Sequence, residues 1–343
     1  MYSLKNDYSE GAHPQILEAL VKTNLEQDAG YGEDKYCQEA IELIKEKLQN
    51  DNVDIHFIPG GTQTNLISVA AFLKSHEACI AAKTGHIFAN ETGAIEATGH
   101  KVIAVDTEDG KLRKENILSV LKSYTNEHVV KPKLVYISNS TEIGTIYNKK
   151  ELQELKEVCM ENKLLLYMDG ARLGSALACE ENDLKLCDFS ELTDAFYIGG
   201  TKNGALIGEV LVICNDNLKE DFRYHLKQRG ALLAKGRLLG IQFTELFRDN
   251  LFFEIGKYEN DMADILRAGI NELGYKFLVN SPSNQIFPIM PNTVIEKLQE
   301  KYSFIIWGSE DEENSSIRLV TSWATNKEVV MGFVDELKKI TKG

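Results

Sequence analysis

Two side chains set a chemical question before any fold is considered. Asp169 ends the apolar run Lys163-Leu-Leu-Leu-Tyr-Met168, and Lys202 lies 33 residues further on (202 − 169 = 33), in Phe196-Tyr-Ile-Gly-Gly-Thr-Lys-Asn-Gly204. Most lysines are solvated, but this one sits between glycines just past an apolar segment. A lysine that attacks a carbonyl as the neutral amine needs such a sheltered position. An aspartate at the carboxyl end of a buried parallel strand stands where α/β proteins form their ligand sites.

Two further stretches bear on the same chemistry. In Pro59-Gly-Gly-Thr-Gln-Thr-Asn65, small residues precede a helix, so backbone N–H groups can approach a phosphate and Thr62 can add a hydroxyl. Taken alone, this stretch is a turn. In Ile317-Arg-Leu-Val-Thr-Ser-Trp323, Arg318 has apolar neighbours, and its guanidinium needs either a structural carboxylate or a ligand carboxylate. Asp169 and Met168-Asp-Gly-Ala-Arg172 taken alone could equally be a strand-end turn. In combination and in this order, the four stretches supply a phosphate cradle, a partner for a pyridine nitrogen and an amine for an aldehyde. Those are the protein groups that pyridoxal 5'-phosphate requires.

The elements that must position these groups follow from hydrophobic periodicity. Asp54–Ile58, Cys79–Ala82, Val102–Val105, Lys133–Ser138, Lys163–Met168, Ala195–Ile198 and Glu209–Ile213 read as strands. Helical segments alternate with them: Thr62–Leu73, Lys114–Tyr124, and one that Asn148 caps with Glu151 in a capping box and that ends near Asn162. Continuous rather than alternating apolar strands imply a mostly parallel sheet covered on both faces. From Leu232 the texture changes to long helical stretches, Leu232–Phe252 and Gly256–Leu273, followed by a smaller α/β segment. The expected organisation is a large domain over 1–250, including an N-terminal strip and a linking helix, and a small C-terminal domain over 251–343.

With 38 basic and 52 acidic residues, the net charge of −14 would repel a nucleic-acid backbone. No apolar run approaches the roughly 18 residues of a membrane span, and the N-terminus is polar without an apolar leader core. The six cysteines show neither a CxxC pair nor a metal-type spacing. The expectation is a cytoplasmic protein with buried thiols, no metal, and neither membrane nor nucleic-acid partners.

The series Asn6-Asp7, Ala29-Gly-Tyr-Gly-Glu-Asp34, Gly60-Gly-Thr62, Gly85-His-Ile-Phe with Glu91-Thr-Gly, Asp169-Gly-Ala-Arg172, Thr201-Lys202, Lys227-Gln-Arg-Gly230 and Arg318-Leu-Val-Thr resembles the threonine aldolases of the β-eliminating-lyase group over almost the whole chain. The resemblance implies the aspartate-aminotransferase-like fold of pyridoxal-phosphate enzymes, with roles for particular residues. Lys202 would carry the cofactor, Asp169 would pair with its ring nitrogen, and His86 would stack on the ring. Gly61, Thr62 and Gln63 would hold the phosphate. Arg172 and Arg318, with Asn6, would grip the substrate carboxylate, and His128 would face the side-chain hydroxyl. Arg229 and Tyr31 match positions near the cofactor, and the resemblance implies a homodimer or homotetramer in which they would act across a subunit boundary. The chain departs from the family's usual pattern at Asn6-Asp-Tyr8 in place of Ser-Asp-Thr, at Thr201-Lys-Asn203 in place of Ser-Lys-Gly, and at Thr141, where a histidine is common.

The reaction so implied is cleavage of L-threonine or L-allo-threonine, or a related 3-hydroxy-α-amino acid, to glycine and an aldehyde, with His86 or His128 as base. Another lyase or an aminotransferase on the same fold is the enzymatic alternative, and a silent scaffold protein is the alternative outside catalysis. The retained Asp169 and Lys202 argue against the scaffold.

Overall fold

A computed structural model describes residues 1–342. Its organising element is a seven-stranded sheet of β1 (Asp54–Ile58), β2 (Glu77–Ala82), β3 (Lys101–Val105), β4 (Lys131–Ser138), β5 (Leu165–Asp169), β6 (Ala195–Gly199) and β7 (Glu209–Ile213), in the spatial order β1-β7-β6-β5-β4-β2-β3. β7 runs antiparallel to both neighbours, and every other neighbouring pair is parallel. β2, β5, β6 and β7 are buried at every position, as a sheet with helices on both faces requires. Alternate residues feed two separate cores: Ile80, Val135, Leu166 and Phe196 on one side, and Cys79, Leu134, Tyr167 and Tyr197 on the other.

The register levels the strand ends. Ser138 lies opposite Asp169, Gly199 opposite Glu209, and Glu209 opposite Ile58. Because β7 alone is reversed, its amino end joins the carboxyl ends of the parallel strands on one edge.

The expected strands all occur, and so does the capping box. Asn148 Oδ1 accepts the Glu151 amide at 2.9 Å and Glu151 Oε2 accepts the Asn148 amide at 3.0 Å. The long helix expected over 232–252 is instead Arg237–Arg248, followed directly by Leu251–Glu272. Asn250 breaks the run with φ 64°, a left-handed conformation that asparagine tolerates. At the other end, Ala234 leaves the helical path to accept the Tyr31 amide at 3.3 Å.

Helix Leu251–Glu272 leads into a second, antiparallel sheet ordered Ile289–Pro291, Asn314–Val320, Ile305–Ser309, with Gln285–Ile286 also paired to Asn314–Val320. Strand Ile305–Ser309 is partly exposed along its length, so it lacks the continuous apolar run that marks the others in the sequence. The N-terminal strip pairs with this second unit. Tyr2–Ser3 lies parallel to Tyr302–Ser303, the Leu4 carbonyl accepts the Val320 amide at 2.9 Å, and the Leu4 side chain is fully buried among Leu266, Ile286 and Leu319. The strip then carries residues 6–8 across to the strand ends of the large sheet.

Cys37, Cys79, Cys159 and Cys179 are buried and unbridged. Burial pushes the Cys79 thiol up to about 12, which keeps it inert. No helix among the described residues is long and apolar enough to cross a membrane.

One helix contact fixes the segment that follows Lys202. Gly256 of Leu251–Glu272 packs against the Gly174 carbonyl, Gly174 packs against the Asn203 side chain, and Asn203 Nδ2 donates to the Phe252 carbonyl at 2.9 Å. Gly256→Ala would gain up to about 1 kcal/mol of helix propensity but would drive a methyl group into that carbonyl, an overpacking cost of about 1–3 kcal/mol. The variant should therefore unfold at lower denaturant concentration than the parent. A higher midpoint would show that helix Leu251–Glu272 can move away from the Gly174 carbonyl freely.

Candidate active site

The levelled strand ends enclose a cavity of about 340 Å³. Each strand delivers a particular group to it: Pro59, Gly60, Gly61 and Thr62 after β1, His86 after β2, Ser138 and Glu142 at and beyond the end of β4. Asp169 and Arg172 follow from β5, Thr201 and Lys202 from β6, and Glu209 from the start of β7; Tyr8 of the N-terminal strip lines the same space.

Asp169 is buried at the floor of this cavity. Its Oδ2 accepts the Tyr136 hydroxyl at 2.6 Å and the Asn65 amide at 3.1 Å, while Oδ1 accepts only the Ala171 amide, at 2.9 Å, among the described residues. Burial raises the carboxyl's pKa, but the His86 charge and the hydrogen bonds from Tyr136 and the Ala171 amide outweigh it and hold Asp169 below the usual carboxylate range. The result is an ionised carboxylate with acceptor capacity left on Oδ1.

Lys202 is enclosed on all sides but the cavity. Burial and the nearby Arg172 charge depress its pKa against the pull of Asp7 and Asp169, which favours the neutral, nucleophilic amine. Gly60, Gly61 and Thr62 stand at the N-terminus of helix Gly61–Phe72, where free amides suit a phosphate. Gln63 does not line the cavity. Its Nε2 donates to the Arg229 carbonyl at 2.9 Å, tying this turn to the loop whose Arg229 Nε is buried without a partner among the described residues. The donor set thus fits pyridoxal phosphate at its nitrogen, its aldehyde and its phosphate.

Arg172 and Asp7 form a two-pronged pair, Nε to Oδ2 at 2.6 Å and Nη2 to Oδ1 at 3.0 Å, and Asn284 also donates to Asp7 Oδ2 at 3.0 Å. Burial works against the Asp7 charge, but Arg172, Lys202 and the Asn284 amide hold its pKa below the ordinary value. Asp7 is the strip residue left without a role in the sequence, although the Asn6-Asp7 pair was part of the family resemblance. Glu259 is also buried here, with Oε1 unpartnered among the described residues, and burial with the Asp7 charge pushes its pKa well up.

Arg318 stands beside this pair, stacked on Trp307 at 5.3 Å, with Nη2 donating to the Lys5 carbonyl at 3.2 Å and Nε unpartnered among the described residues. Burial and the Arg172 charge both disfavour its own charge, so an incoming carboxylate would relieve it. Asn6 uses its Oδ1 to close a turn, accepting the Tyr8 amide at 3.0 Å and the Ser9 hydroxyl at 2.9 Å.

His86 donates or accepts at Nδ1 with Glu91 Oε1 at 2.8 Å. Burial lowers its pKa, but the Glu91 hydrogen bond and the Asp169 charge win and raise it above the ordinary histidine value. Its backbone amide donates to Glu142 Oε1 at 2.8 Å, which also accepts the Ser138 hydroxyl at 2.7 Å. Glu142 and Glu209 were not singled out from the sequence. Glu142 lies in the loop beyond the carboxyl end of parallel strand β4, where the rule that flagged Asp169 also applies, whereas Glu209 reaches the same edge only because β7 is reversed.

His128 is not brought to the cavity. It is exposed in the turn before β4, its amide donating to Asn126 Oδ1 at 3.0 Å, whereas Ser138 at the far end of that strand lines the cavity. Eight residues of strand span roughly 26 Å, so the loop preceding β4 opens on the opposite edge of the sheet. The expectation of a hydroxyl-facing role for His128 is therefore corrected. Tyr31 is likewise exposed and does not line the cavity; it has φ 60°, and Lys227 Nζ lies 4.3 Å from its ring centre.

A family model described as β-eliminating lyase matches residues 4–289. The structure of a threonine aldolase from Leishmania major is 50% identical, with a TM-score of 0.98, covering 99% of this chain and 100% of that one. The low specificity L-threonine aldolase of Pseudomonas aeruginosa is 28% identical over 98% of this chain and 96% of its own. The fold is shared more widely: Thermus thermophilus aspartate aminotransferase superposes with a TM-score of 0.72 at 15% identity, over 99% of this chain and 91% of the other. From the match over most of its length, this chain belongs to the β-eliminating lyase family, among its threonine aldolases.

Proposed function

We propose that the protein is a pyridoxal-phosphate-dependent aldolase that cleaves L-threonine and L-allo-threonine to glycine and acetaldehyde. The observation that carries this reading is the meeting of Lys202, Asp169 and the Gly60–Thr62 turn in one cavity beside the Asp7–Arg172 pair. Bound there, pyridoxal phosphate would supply a conjugated sink for the electron pair released when a bond at Cα breaks.

The chain's own residues do the rest. Lys202 offers the cofactor aldehyde a sheltered amine whose charged form is disfavoured by burial and by Arg172. Asp169 keeps an ionised oxygen for the ring nitrogen, so that the sink stays strong. Gly61 and Thr62 offer amides and a hydroxyl to the phosphate, and Arg229, joined to that turn through Gln63, adds charge beside it. Asp7 neutralises and orients Arg172, leaving Arg318 as the uncompensated cation for the substrate carboxylate. Holding that carboxylate decides which Cα bond stands across the ring and so which bond breaks.

Leu17, Val21 and Leu25 are exposed at intervals of four along and just past helix Pro14–Thr23, and an apolar stripe of this kind suits a second copy of the chain. A homodimer or homotetramer with Tyr31 and Arg229 near the junction follows from this reading, and the unbridged cysteines suit the cytoplasm.

The purified protein should be yellow, and borohydride should fix the cofactor on Lys202; a mapped adduct on any other lysine would refute the assignment. Arg318→Leu should retain the cofactor spectrum but weaken amino-acid binding by on the order of 2–5 kcal/mol, and parent-like saturation would reduce Arg318 to a structural role. Replacing Val21 and Leu25 together by Asp should lower the mass measured by light scattering, whereas an unchanged mass would exclude that stripe from the interface.

A further inference from the structure

Cleavage of the Cα–Cβ bond requires a base at the β-hydroxyl, and the cavity offers three candidates: His86, Glu209 and Glu142. His86 is poorly suited. Its Nδ1 is tied to the Glu91 carboxylate at 2.8 Å, and the Glu91 bond and Asp169 charge favour the protonated ring. Glu209 accepts the Gly200 amide at 2.9 Å and lies in register between Ile58 and Gly199. That is the side of the phosphate turn and the Lys202 backbone.

Glu142 differs from both. It follows β4, on the side of Asp169 away from Lys202, next to His86. Its Oε1 is held by two donors, the His86 amide at 2.8 Å and the Ser138 hydroxyl at 2.7 Å. Its Oε2 has no protein partner among the described residues, and unlike Glu91 Oε2 it is not a sealed orphan; the residue lines the cavity. A carboxyl group fixed at one oxygen and open at the other is pre-organised for proton transfer.

Resting on the aldolase reading above, we propose that Glu142 Oε2 takes the β-hydroxyl proton of the substrate during Cα–Cβ cleavage. In this step the hydroxyl O–H bond breaks and a new O–H bond forms at Oε2. The oxygen's electron pair becomes the second bond of the aldehyde carbonyl as the Cα–Cβ bond breaks. The pair left on Cα would pass to the conjugated sink that bound pyridoxal phosphate supplies, and a proton added at Cα completes glycine. Nothing is oxidised or reduced overall. With Oε1 accepting two hydrogen bonds, the proton has only Oε2 to occupy.

The surroundings tune this acid. Burial lifts the Glu142 pKa and the Asp169 charge lifts it further, against the Ser138 hydroxyl and the His86 amide, and the net shift is upward. The groups facing it are Tyr136 and Ser138 from β4, Tyr147 beyond β4, Asp169 from β5 and His86 beyond β2. Since only the carboxylate accepts a proton, cleavage should rise with pH through the Glu142 pKa, with that limb above the range of an ordinary glutamate.

The test uses the cofactor-loaded chain and Glu142→Gln, whose amide oxygen can still accept from His86 and Ser138. Threonine cleavage should fall by about 10²–10⁴-fold in kcat, while glycine binding, followed by the cofactor spectrum, and exchange of the glycine α-proton into deuterium oxide should persist. The acid limb should vanish in the variant. Independently of turnover, infrared titration of the cofactor-free protein should show a buried carboxylic acid band that Glu142→Gln removes. If the parent cleaves threonine and Glu142→Gln does so at a comparable rate, Glu142 is not the base. If the parent itself cleaves no threonine, the aldolase reading falls instead. Should Glu142→Gln fail to fold, Glu142→Asp decides: the acid limb and the infrared band must shift together, and a shift of one without the other overturns the proposal.

Discussion

A carboxylate kept ionised inside a protein is the constraint on which the rest of this structure depends. Asp169 sits at the end of a strand buried at every position, where an isolated charge would neutralise itself by taking up a proton. It stays charged because Tyr136, Asn65 and the Ala171 amide all donate to it and His86 stands near. Those donors are themselves fixed. Tyr167 holds Asn65 at 3.0 Å, and Asn65 in turn bridges Asp169 to Glu91, the partner of His86. Removing one donor would therefore disturb the carboxylate, the histidine and the turn that begins helix Gly61–Phe72 together.

How much of this could be read in the chain depends on the kind of signal. The strands were legible because each is a short, continuous apolar run, and the site at their ends was legible because Asp169 and Lys202 break such runs with charge. The partly exposed strand Ile305–Ser309 gave no such pattern, and Asn250 interrupted a helix whose apolar period continues across it. His128 shows the limit most clearly. Its residue type suited a base, but only the direction of β4 decides which edge of the sheet its loop serves, and that direction comes from the parallel pairing with β5. Glu142 carries the complementary lesson, since a place in the loop beyond the carboxyl end of a parallel strand is a better guide to the cavity than residue type alone.

The carboxylate-binding side is built from both sheets. Leu4, sunk in the core of the second unit, anchors the N-terminal strip, and three residues later Asp7 meets Arg172 beyond β5. Arg318 comes from that second unit too, on the strand whose Val320 holds Leu4. The Asp7–Arg172 pair thus joins the two units through a buried, directional contact. Breaking it by removing either partner would leave the other charge buried and unpaired, which is far more disruptive than never having built it. The same contact sets the sign of the pocket: with Arg172 neutralised by Asp7, Arg318 is the cation left to choose an anionic substrate group.

Crowding of acids explains how a chain of net charge −14 can run both nucleophilic and acid–base chemistry in one cavity. Asp7, Asp169, Glu142, Glu209 and Glu259 lie within one neighbourhood of Lys202, Arg172 and His86, and they cannot all ionise there. The surroundings divide them. Asp7 and Asp169 each collect several donors and sit below the usual range, whereas burial lifts Glu142, Glu259 and Glu209, the last up to about 7. Carboxyl groups pushed apart in this way can take opposite roles at one pH. The two aspartates are then fixed charges that orient an arginine and polarise a ring. A raised glutamate with one oxygen free is a proton acceptor whose affinity matches the hydroxyl chemistry better than an ordinary carboxylate would. Glu259 does not line the cavity, and burial together with the Asp7 charge disfavours a second anion beside Arg172, which leaves Asp7 as its ion-pair partner.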